Sequence, residues 1–173
     1  MPFYNNIRLV KLSSDYKNQL FEMMDEWTKD KEAYCPFAIF KNDYHNFDYY
    51  LDNLDYKKEI DGKVPSTTLF ALDIKRNIFL GAVNIRHYLN EGLLNFGGHI
   101  GDGVRPSERR KGIGSEIIRL ALIECKKLGI DKVLMVCNIN NIGSRKTIVN
   151  NGGIKENEVI DNGETLERYW INL

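Results

Sequence analysis

The spacing of apolar residues in the first third of the chain predicts one strand and two helices. Residues 7–12 alternate between apolar and polar side chains, which is typical of a strand with one buried face. A helix follows, and Ser13 or Ser14 is expected to cap it, because a hydroxyl there accepts an unpaired backbone N–H. Its buried face is formed by Leu20, Met23, Met24 and Trp27. A second helix is predicted over 43–60, with Phe47, Tyr50, Leu51 and Leu54 turned inward.

The middle of the chain has the short apolar runs of an antiparallel sheet. Residues 67–74 and 78–86 predict a hairpin joined by a polar connection. A third strand is predicted over 93–104. It contains the glycines Gly97, Gly98, Gly101 and Gly103. Glycine within a strand indicates a bulge, or the close approach of another backbone or a ligand.

The last third alternates helices and strands. A helix is predicted over 113–128 and ends at Gly129, and a second helix over 142–151 ends at Gly152 and Gly153. Between them, residues 132–137 form a short apolar run of the kind found in buried parallel strands. Two further strands are predicted over 154–160 and 166–171. An Asn-Gly pair between the final strands predicts a hairpin turn. The order of elements indicates an α/β fold of the mixed α+β kind, with a central mixed sheet flanked by helices.

Composition and charge narrow the function. A chain of 173 residues, 43% hydrophobic and 28% charged, fits one domain over 1–173. Basic and acidic residues balance at 24 each, which disfavours nucleic-acid binding. The chain has no secretory signal pattern and no apolar run of roughly 20 residues, so we expect a cytoplasmic protein without a membrane partner. Cys35, Cys125 and Cys137 lack metal-ligand spacing, and no metal is predicted.

Candidate chemistry is concentrated in residues 103–114. A strand ends near Gly103 and Val104, the chain turns, and a helix begins on two closely spaced glycines. The first turn of a helix has unpaired N–H donors and a partial positive charge, so it stabilises phosphate groups. Three basic residues add mobile positive charge at the same turn. The expected pyrophosphate-binding residues are Arg109, Arg110, Lys111, Gly112, Ile113, Gly114 and Ser115.

Two common phosphate-binding motifs do not fit this turn. No Gly-Lys-Ser or Gly-Lys-Thr is placed to hold a γ-phosphate and magnesium, which excludes a Walker loop. Only Gly112 and Gly114 fit the spacing of the dinucleotide fingerprint. Residues 109–114 do match the R/Q-x-x-G-x-G/A signature of the GNAT acetyltransferase superfamily, which this chain resembles. Asn141 and Ser144 resemble that family's N-x-x-A/S helix start, and the order of elements is also the family's.

The resemblance implies an activity. In the family the sheet splays between two strands, and the co-substrate acetyl-CoA enters the gap. Gly103 and Val104 would then bind the pantetheine arm, the turn would bind the pyrophosphate, and Asn141 and Ser144 would contact the pantetheine side. A primary amine of a small molecule or peptide attacks the thioester directly in a ternary complex. Many family members are homodimers, so a second copy is a candidate partner.

The catalytic residues are less well marked. The position that carries a proton-donating tyrosine in many family members is Ile148 here. Tyr169, a water molecule or unassisted departure of the thiolate are the alternatives. His99 and Glu91 are candidate general bases, although a hydrogen-bonded strand histidine is the favoured interpretation of His99. Cys137 lies in an apolar strand and is expected to be an inert buried thiol.

Other functions are compatible with the same sequence. Because Ile148 replaces the family's tyrosine, the chain can also be interpreted as a regulator or an inactive homologue that binds acetyl-CoA. A nucleic-acid adaptor using the basic turn conflicts with the neutral charge. The helix that begins near Asp43 is acidic and aromatic, and it would attract a cationic amine if it lined the acceptor site. An exposed face with aromatic anchors is the favoured interpretation of that pattern.

Overall fold

The computed structural model describes residues 4–29 and 34–173. Within these residues the strands are β1 (Ile7–Val10), β2 (Ser66–Asp73), β3 (Ile78–Arg86), β4 (Ile100–Val104), β5 (Lys132–Asn138), β6 (Ile154–Asp161) and β7 (Glu164–Asn172). The helices are α1 (Lys17–Trp27), α2 (Phe47–Asp52), α3 (Ile113–Lys127) and α4 (Ile142–Asn150). Short 3-10 turns cover Ser14–Tyr16, Phe37–Ile39 and Pro106–Glu108, and a π-helical turn covers Leu93–Gly97.

The strands form two sheets that meet along one line. One sheet has the order β1-β2-β3-β4 and the other has the order β5-β7-β6, and every ladder is antiparallel. β4 and β5 lie side by side and run in the same direction. Gly98, just before β4, lies against Leu134 in β5, and Asp102 further along β4 acts electrostatically on Cys137 further along β5. The mixed α/β architecture therefore arises where the two antiparallel sheets meet.

Two apolar clusters cover the two faces of the first sheet. α3 packs on one face, where Ile113, Ile117 and Ala121 join Val83 and Ile85 of β3. α1 packs on the opposite face through its predicted apolar residues. Leu20, Met23, Met24 and Trp27 are all at most 1% exposed. Alternation of side chains in β3 thus separates a face that packs on α3 from a face that packs on α1.

Several predicted elements are confirmed. The 78–86 strand matches β3, and it pairs with β2 as a hairpin. The final hairpin turns through Asn162 and Gly163 at φ angles of 49° and 82°, as an Asn-Gly turn requires. α3 ends before Gly129, whose φ of 79° is left-handed.

The predicted helix over 43–60 is wrong in extent. Only Phe47–Asp52 is helical, although Phe47, Tyr50 and Leu54 are buried as expected. Beyond Asp52 the chain is held by tertiary bonds instead. The Asp55 carboxylate accepts from Thr68 at 2.7 Å, and the backbone N–H of Ser66 donates to the Tyr56 carbonyl. Contacts with β2 therefore replace the continuing helix.

The predicted strand over 93–104 is wrong in its first half. Residues Leu93–Gly97 form a π-helical turn, and Gly98 has a φ of 69°, a left-handed conformation that interrupts a strand. Two other details differ. Ser13 precedes a 3-10 turn without a capping side-chain bond, and neither serine caps α1. The 132–137 strand pairs antiparallel with β7, so its apolar run reflects burial and not a parallel ladder.

Candidate active site

A gap separates β4 from β5 on the side where both strands end. The two strands are joined at residue 99, whose backbone N–H donates to the Leu134 carbonyl at 2.8 Å. Beyond that point β4 is paired only with β3, and β5 only with β7, among the residues that the structure describes. The facing edges therefore keep backbone donors and acceptors that a bound chain-like molecule can use.

The glycine turn lies at the end of this gap and starts α3. Gly112 precedes the helix at a φ of 81°, and Arg110 is also left-handed at 61°. The first helical backbone bond runs from the Glu116 N–H to the Gly112 carbonyl at 3.3 Å. The N–H groups of Ile113, Gly114 and Ser115 therefore lie at the open end of the helix, where an anion is stabilised. The Tyr4 hydroxyl donates to the Lys111 carbonyl and holds the turn from outside.

Two basic side chains of the turn have partners within the protein. The Arg109 Nε donates to the Val104 carbonyl at 2.9 Å, and its guanidinium lies 5.9 Å from the centre of the Trp27 ring. The Lys111 Nζ pairs with Glu108 at 3.1 Å, and Arg76 pairs with the same carboxylate. Neighbouring acceptors thus orient Arg109 and Lys111, and the mobility expected of their charges stays a prediction.

Asn141 and Ser144 form the start of α4, as the motif predicts. The Asn141 side-chain oxygen accepts from the Ser144 backbone N–H at 3.0 Å, so Asn141 caps the helix. Gly114 lies beside this helix, and a Cβ added there would be 3.4 Å from Thr147. An alanine fits at that distance, which agrees with the G/A position of the signature. The start of α3 thus packs against the second half of α4.

Gly98, just before β4, and Gly103, within β4, allow the close packing that was predicted for the glycines of this segment. A Cβ at Gly98 would lie 2.6 Å from the Leu134 carbonyl oxygen. A Cβ at Gly103 would lie 2.0 Å from the Cys35 carbonyl and 2.8 Å from the Trp27 ring. Neither glycine can be replaced without moving a backbone. The first closes the base of the gap, and the second lets α1 and the segment at Cys35 cross β4.

His99 is placed as a structural histidine. Its side chain is 6% exposed, and its Nδ1 accepts from the Leu134 backbone N–H at 2.9 Å. The neutral ring therefore carries its proton on Nε2, and neither nitrogen has a free lone pair for an amine. Burial, with the Arg86 charge, lowers the pKa of His99 to about 4. The geometry favours the hydrogen-bonded interpretation, and a role as general base stays an unsupported prediction. Glu91 is exposed.

The buried neutral state of His99 predicts a pH-dependent stability. An unfolded histidine has a pKa near 6.5, above the folded value of about 4. The unfolded chain therefore binds the extra proton between these values, and the free energy of unfolding falls by about 3 kcal/mol as pH drops through that window. Urea titrations across the window measure it.

His99→Asn separates this stability effect from catalysis. The Asn side-chain oxygen can still accept from Leu134, so the variant is expected to fold and to lose this part of the pH dependence. The parent protein and His99→Asn share every other titrating group, so the difference between their pH dependences comes from His99. If His99 were instead the catalytic base, the variant would lose the low-pH limb of the rate profile.

The remaining candidates for the proton donor lie in the core. Ile148 is fully buried in the core cluster that contains Ile113 and Ile117, and it lies against Gly153. The Tyr169 hydroxyl donates to Glu167 at 3.0 Å, and burial raises the pKa of Tyr169. The Tyr169 hydroxyl proton is thus already donated to the Glu167 carboxylate. A role of Tyr169 as general acid stays a prediction. Burial also raises the pKa of Cys137, in agreement with an inert thiol.

Two charged residues at the gap were missed by the sequence reasoning. Asp102 lies on β4 at the gap, within electrostatic range of Arg86 and Cys35 on one side and Cys137 on the other. Burial raises the pKa of Asp102 to about 6, although Arg86 lowers it in part. The sequence signal that could have identified Asp102 is its position between Gly101 and Gly103 in a predicted strand. The Arg86 guanidinium lies over Gly101, where an added Cβ would be 3.2 Å from Nη2.

The described residues contain neither a side-chain cluster suited to a metal ion nor a helix suited to crossing a membrane. In residues 4–29 and 34–173, no group of three or more His, Cys, Asp or Glu side chains is arranged to hold a metal ion. None of the helices in these ranges has the length and apolar character needed to cross a bilayer.

Comparison with known proteins agrees with the geometry. A family model described as an acetyltransferase (GNAT) domain matches residues 6–154. No curated protein matches the sequence of the chain.

Solved structures share the fold at low identity. A GNAT-family acetyltransferase from Bacillus anthracis is 18% identical, with a TM-score of 0.65 over 98% of this chain and 96% of that chain. A spermidine N-acetyltransferase chimera from Vibrio cholerae is 16% identical, with a TM-score of 0.62 over 97% and 96%. A ribosomal alpha-N-protein acetyltransferase in complex with coenzyme A is 12% identical, with a TM-score of 0.67 over 99% and 97%.

Proposed function

Because this chain belongs to the GNAT acetyltransferase family, we propose that it transfers the acetyl group of acetyl-CoA to a primary amine of a small molecule or peptide. The observation that carries the proposal is the start of α3. Three helix-opening N–H groups, at residues 113–115, lie beside Arg109 and Arg110 at the end of the gap between β4 and β5. A pyrophosphate needs this combination of backbone donors and positive charge.

We expect the pantetheine arm of the co-substrate to occupy the gap. The free edges of β4 and β5 offer hydrogen bonds to the two amides of a pantetheine arm, as an added strand would receive them. Val104 and Gly103 lie at the end of β4 nearest the turn. Asn141 and Ser144 border the opposite side through α4. The thioester would then lie near Asp102, deeper along β4.

Asp102 is the residue we propose as general base. An acceptor arrives as an ammonium ion and must lose a proton before its nitrogen can attack. A carboxylate whose pKa is raised to about 6 is ionised at neutral pH, and it is a stronger base than an ordinary aspartate. Its position on β4 at the gap supports this role. The charge of Arg86 opposes part of the rise in the pKa of Asp102 that burial causes.

The transfer step needs no covalent enzyme intermediate. The amine nitrogen forms a bond with the carbonyl carbon, and the carbon–sulfur bond breaks as sulfur keeps the electron pair. One proton of the ammonium leaves to Asp102 before attack, and a second reaches the departing thiolate through solvent. Much of the acceleration comes from holding amine and thioester together. No side chain is required as proton donor, in line with Ile148 at the family's tyrosine position.

Release of coenzyme A tests the proposed transfer. Purified protein is incubated with acetyl-CoA and a panel of polyamines, amino acids and peptides, and coenzyme A is quantified by chromatography. Amine-dependent release with formation of the acetylated amine supports the transfer. Tight binding of acetyl-CoA by calorimetry without release from any amine would instead support the regulator, and it would contradict the enzyme.

A further inference from the structure

The face of the first sheet that packs on α1 changes from apolar to polar along β2 and β3. At one end it presents Phe70 and Ala82 to α1. At the other end Thr68 stands opposite Asn84, and Ser66 opposite Arg86. Residues directly opposite each other in an antiparallel pair share a face. The polar end adjoins the gap, because Asn84 is also opposite Gly101 of β4.

Arg86 differs from most arginines of the chain in its partners. Among the described residues no carboxylate lies within ion-pair distance of its guanidinium, and its recorded bonds run from Nη1 to the carbonyls of Gly97 and Gly98 at 3.3 and 3.4 Å. Five other arginines each pair with a carboxylate at 3.1 Å or less; they are Arg76, Arg105, Arg119, Arg145 and Arg168.

The environment of Arg86 disfavours its charge. Burial lowers the pKa of the guanidinium, and only the more distant charges of Asp102 and Cys35 oppose that effect. A desolvated charge without a close counterion destabilises a protein unless a ligand supplies the opposite charge. The long bonds to Gly97 and Gly98 orient Nη1 and leave the other nitrogens without a recorded protein acceptor. The guanidinium is thus prepared for an anion.

The other charges on this face do not compete for that role. The Asp55 carboxylate accepts from the hydroxyls of Thr68 at 2.7 Å and Ser66 at 3.5 Å, so it is already occupied. Asn84 donates to the Thr68 hydroxyl at 3.0 Å. These residues form a polar, hydrogen-bonded surface beside Arg86. A cleft of about 470 Å³ opens beside this end of the face and is lined in part by Ser66, Thr68 and Asp55, although Arg86 is not among its lining residues.

From this arrangement we infer that Arg86 binds a carboxylate of the acceptor, and that the acetylated molecule is a small amine of the amino-acid class. The inference rests on the proposed transfer. Arg86 covers Gly101 on the face that packs on α1, whereas Asp102, the next residue along β4, is opposite Val83 on the face that packs on α3. A molecule whose ammonium meets Asp102 and whose carboxylate meets Arg86 therefore has to pass around the free edge of β4 at the gap.

Matched pairs of acceptors test this assignment. Each of the common L-amino acids, β-alanine and γ-aminobutyrate is compared with its own carboxamide, and spermidine is included as a cation without a carboxylate. The parent protein is expected to acetylate the best acid with a kcat/KM about 100-fold above that of its carboxamide, because the amide leaves the half-buried guanidinium without a carboxylate in contact with it.

Variants of Arg86 show whether the residue causes the preference. Arg86→Met should remove the roughly 100-fold difference by slowing the acid, with the carboxamide rate changed by about threefold at most. Arg86→Lys should restore part of the preference, since it keeps the charge but not the planar fork. Arg8→Met is the control: it removes a charge from an exposed position on β1, and the variant should keep the full preference for the acid over its carboxamide.

Several results would overturn the inference. Equal rates for acids and carboxamides in the parent protein, or spermidine as the best acceptor, would remove the carboxylate requirement while leaving the acetyl transfer in place. An Arg86→Met variant that slows the acid and the carboxamide alike would show a merely structural role. Failure of every amine to release coenzyme A would contradict both the transfer and this inference.

Discussion

Replacing Asp102 with Asn is expected to lower kcat/KM for acetyl transfer by about 10²- to 10⁴-fold at neutral pH, the range that general-base catalysis supplies. The amide has nearly the same shape but cannot accept a proton from the ammonium. Loss of the Asp102 carboxylate should therefore slow the chemical step and leave the affinity for coenzyme A unchanged. Steady-state rates and a calorimetric titration with coenzyme A measure the two effects separately.

The pH dependence identifies the group responsible. Asp102 must be ionised to act, so kcat/KM of the parent should rise with pH through about 6 and level off above it. This limb should be missing from Asp102→Asn. A limb near pH 4 would instead point to His99, whose pKa is about 4. Asp15→Asn, which removes an exposed carboxylate before α1, is the control and should retain the parental profile. Full activity of Asp102→Asn would exclude Asp102 as base.

Replacing Gly112 with Val is expected to weaken the binding of coenzyme A by about 100-fold. Each hydrogen bond from a backbone N–H to a charged phosphate oxygen contributes about 1.5–3 kcal/mol, and misalignment of one or two of them accounts for this loss. Gly112 has a φ of 81°, which a β-branched residue adopts only at a cost of about 1–2 kcal/mol. The turn relieves that strain by moving the amides at residues 113–115.

The structure offers a matched control at the other end of the same helix. Gly129 has a φ of 79°, and a Cβ there would meet nothing within 4 Å, while a Cβ at Gly112 would come no closer than 3.8 Å to Tyr4. Gly129→Val should therefore lose a similar free energy of unfolding without changing the affinity for coenzyme A. Unfolding titrations and calorimetry on both variants make the comparison. Equal affinity in Gly112→Val and Gly129→Val would contradict a phosphate site at the start of α3.

The roles of these residues differ in how visible they are in the sequence. Gly112 was identified because its function is local: a turn, two glycines and a helix start lie within a few residues of each other. Asp102 and Arg86 are ordinary charged residues in the sequence. Their burial depends on β3, β4 and β5 meeting, and these strands lie up to about 50 residues apart along the chain. Only that meeting raises the pKa of the carboxyl and leaves the guanidinium without a counterion.

The sequence by itself determined the elements whose signals are short-range. Apolar periodicity located β3 and the buried face of α1, and an Asn-Gly pair located the last hairpin. Tertiary contacts decided the rest. The helix after Asp52 is replaced by bonds between Asp55 and Thr68, and the strand before Ile100 becomes a π-helical turn that ends at Gly98 against β5. Local propensity differs by only about 1 kcal/mol per residue, so a few buried hydrogen bonds and close contacts between distant segments override it.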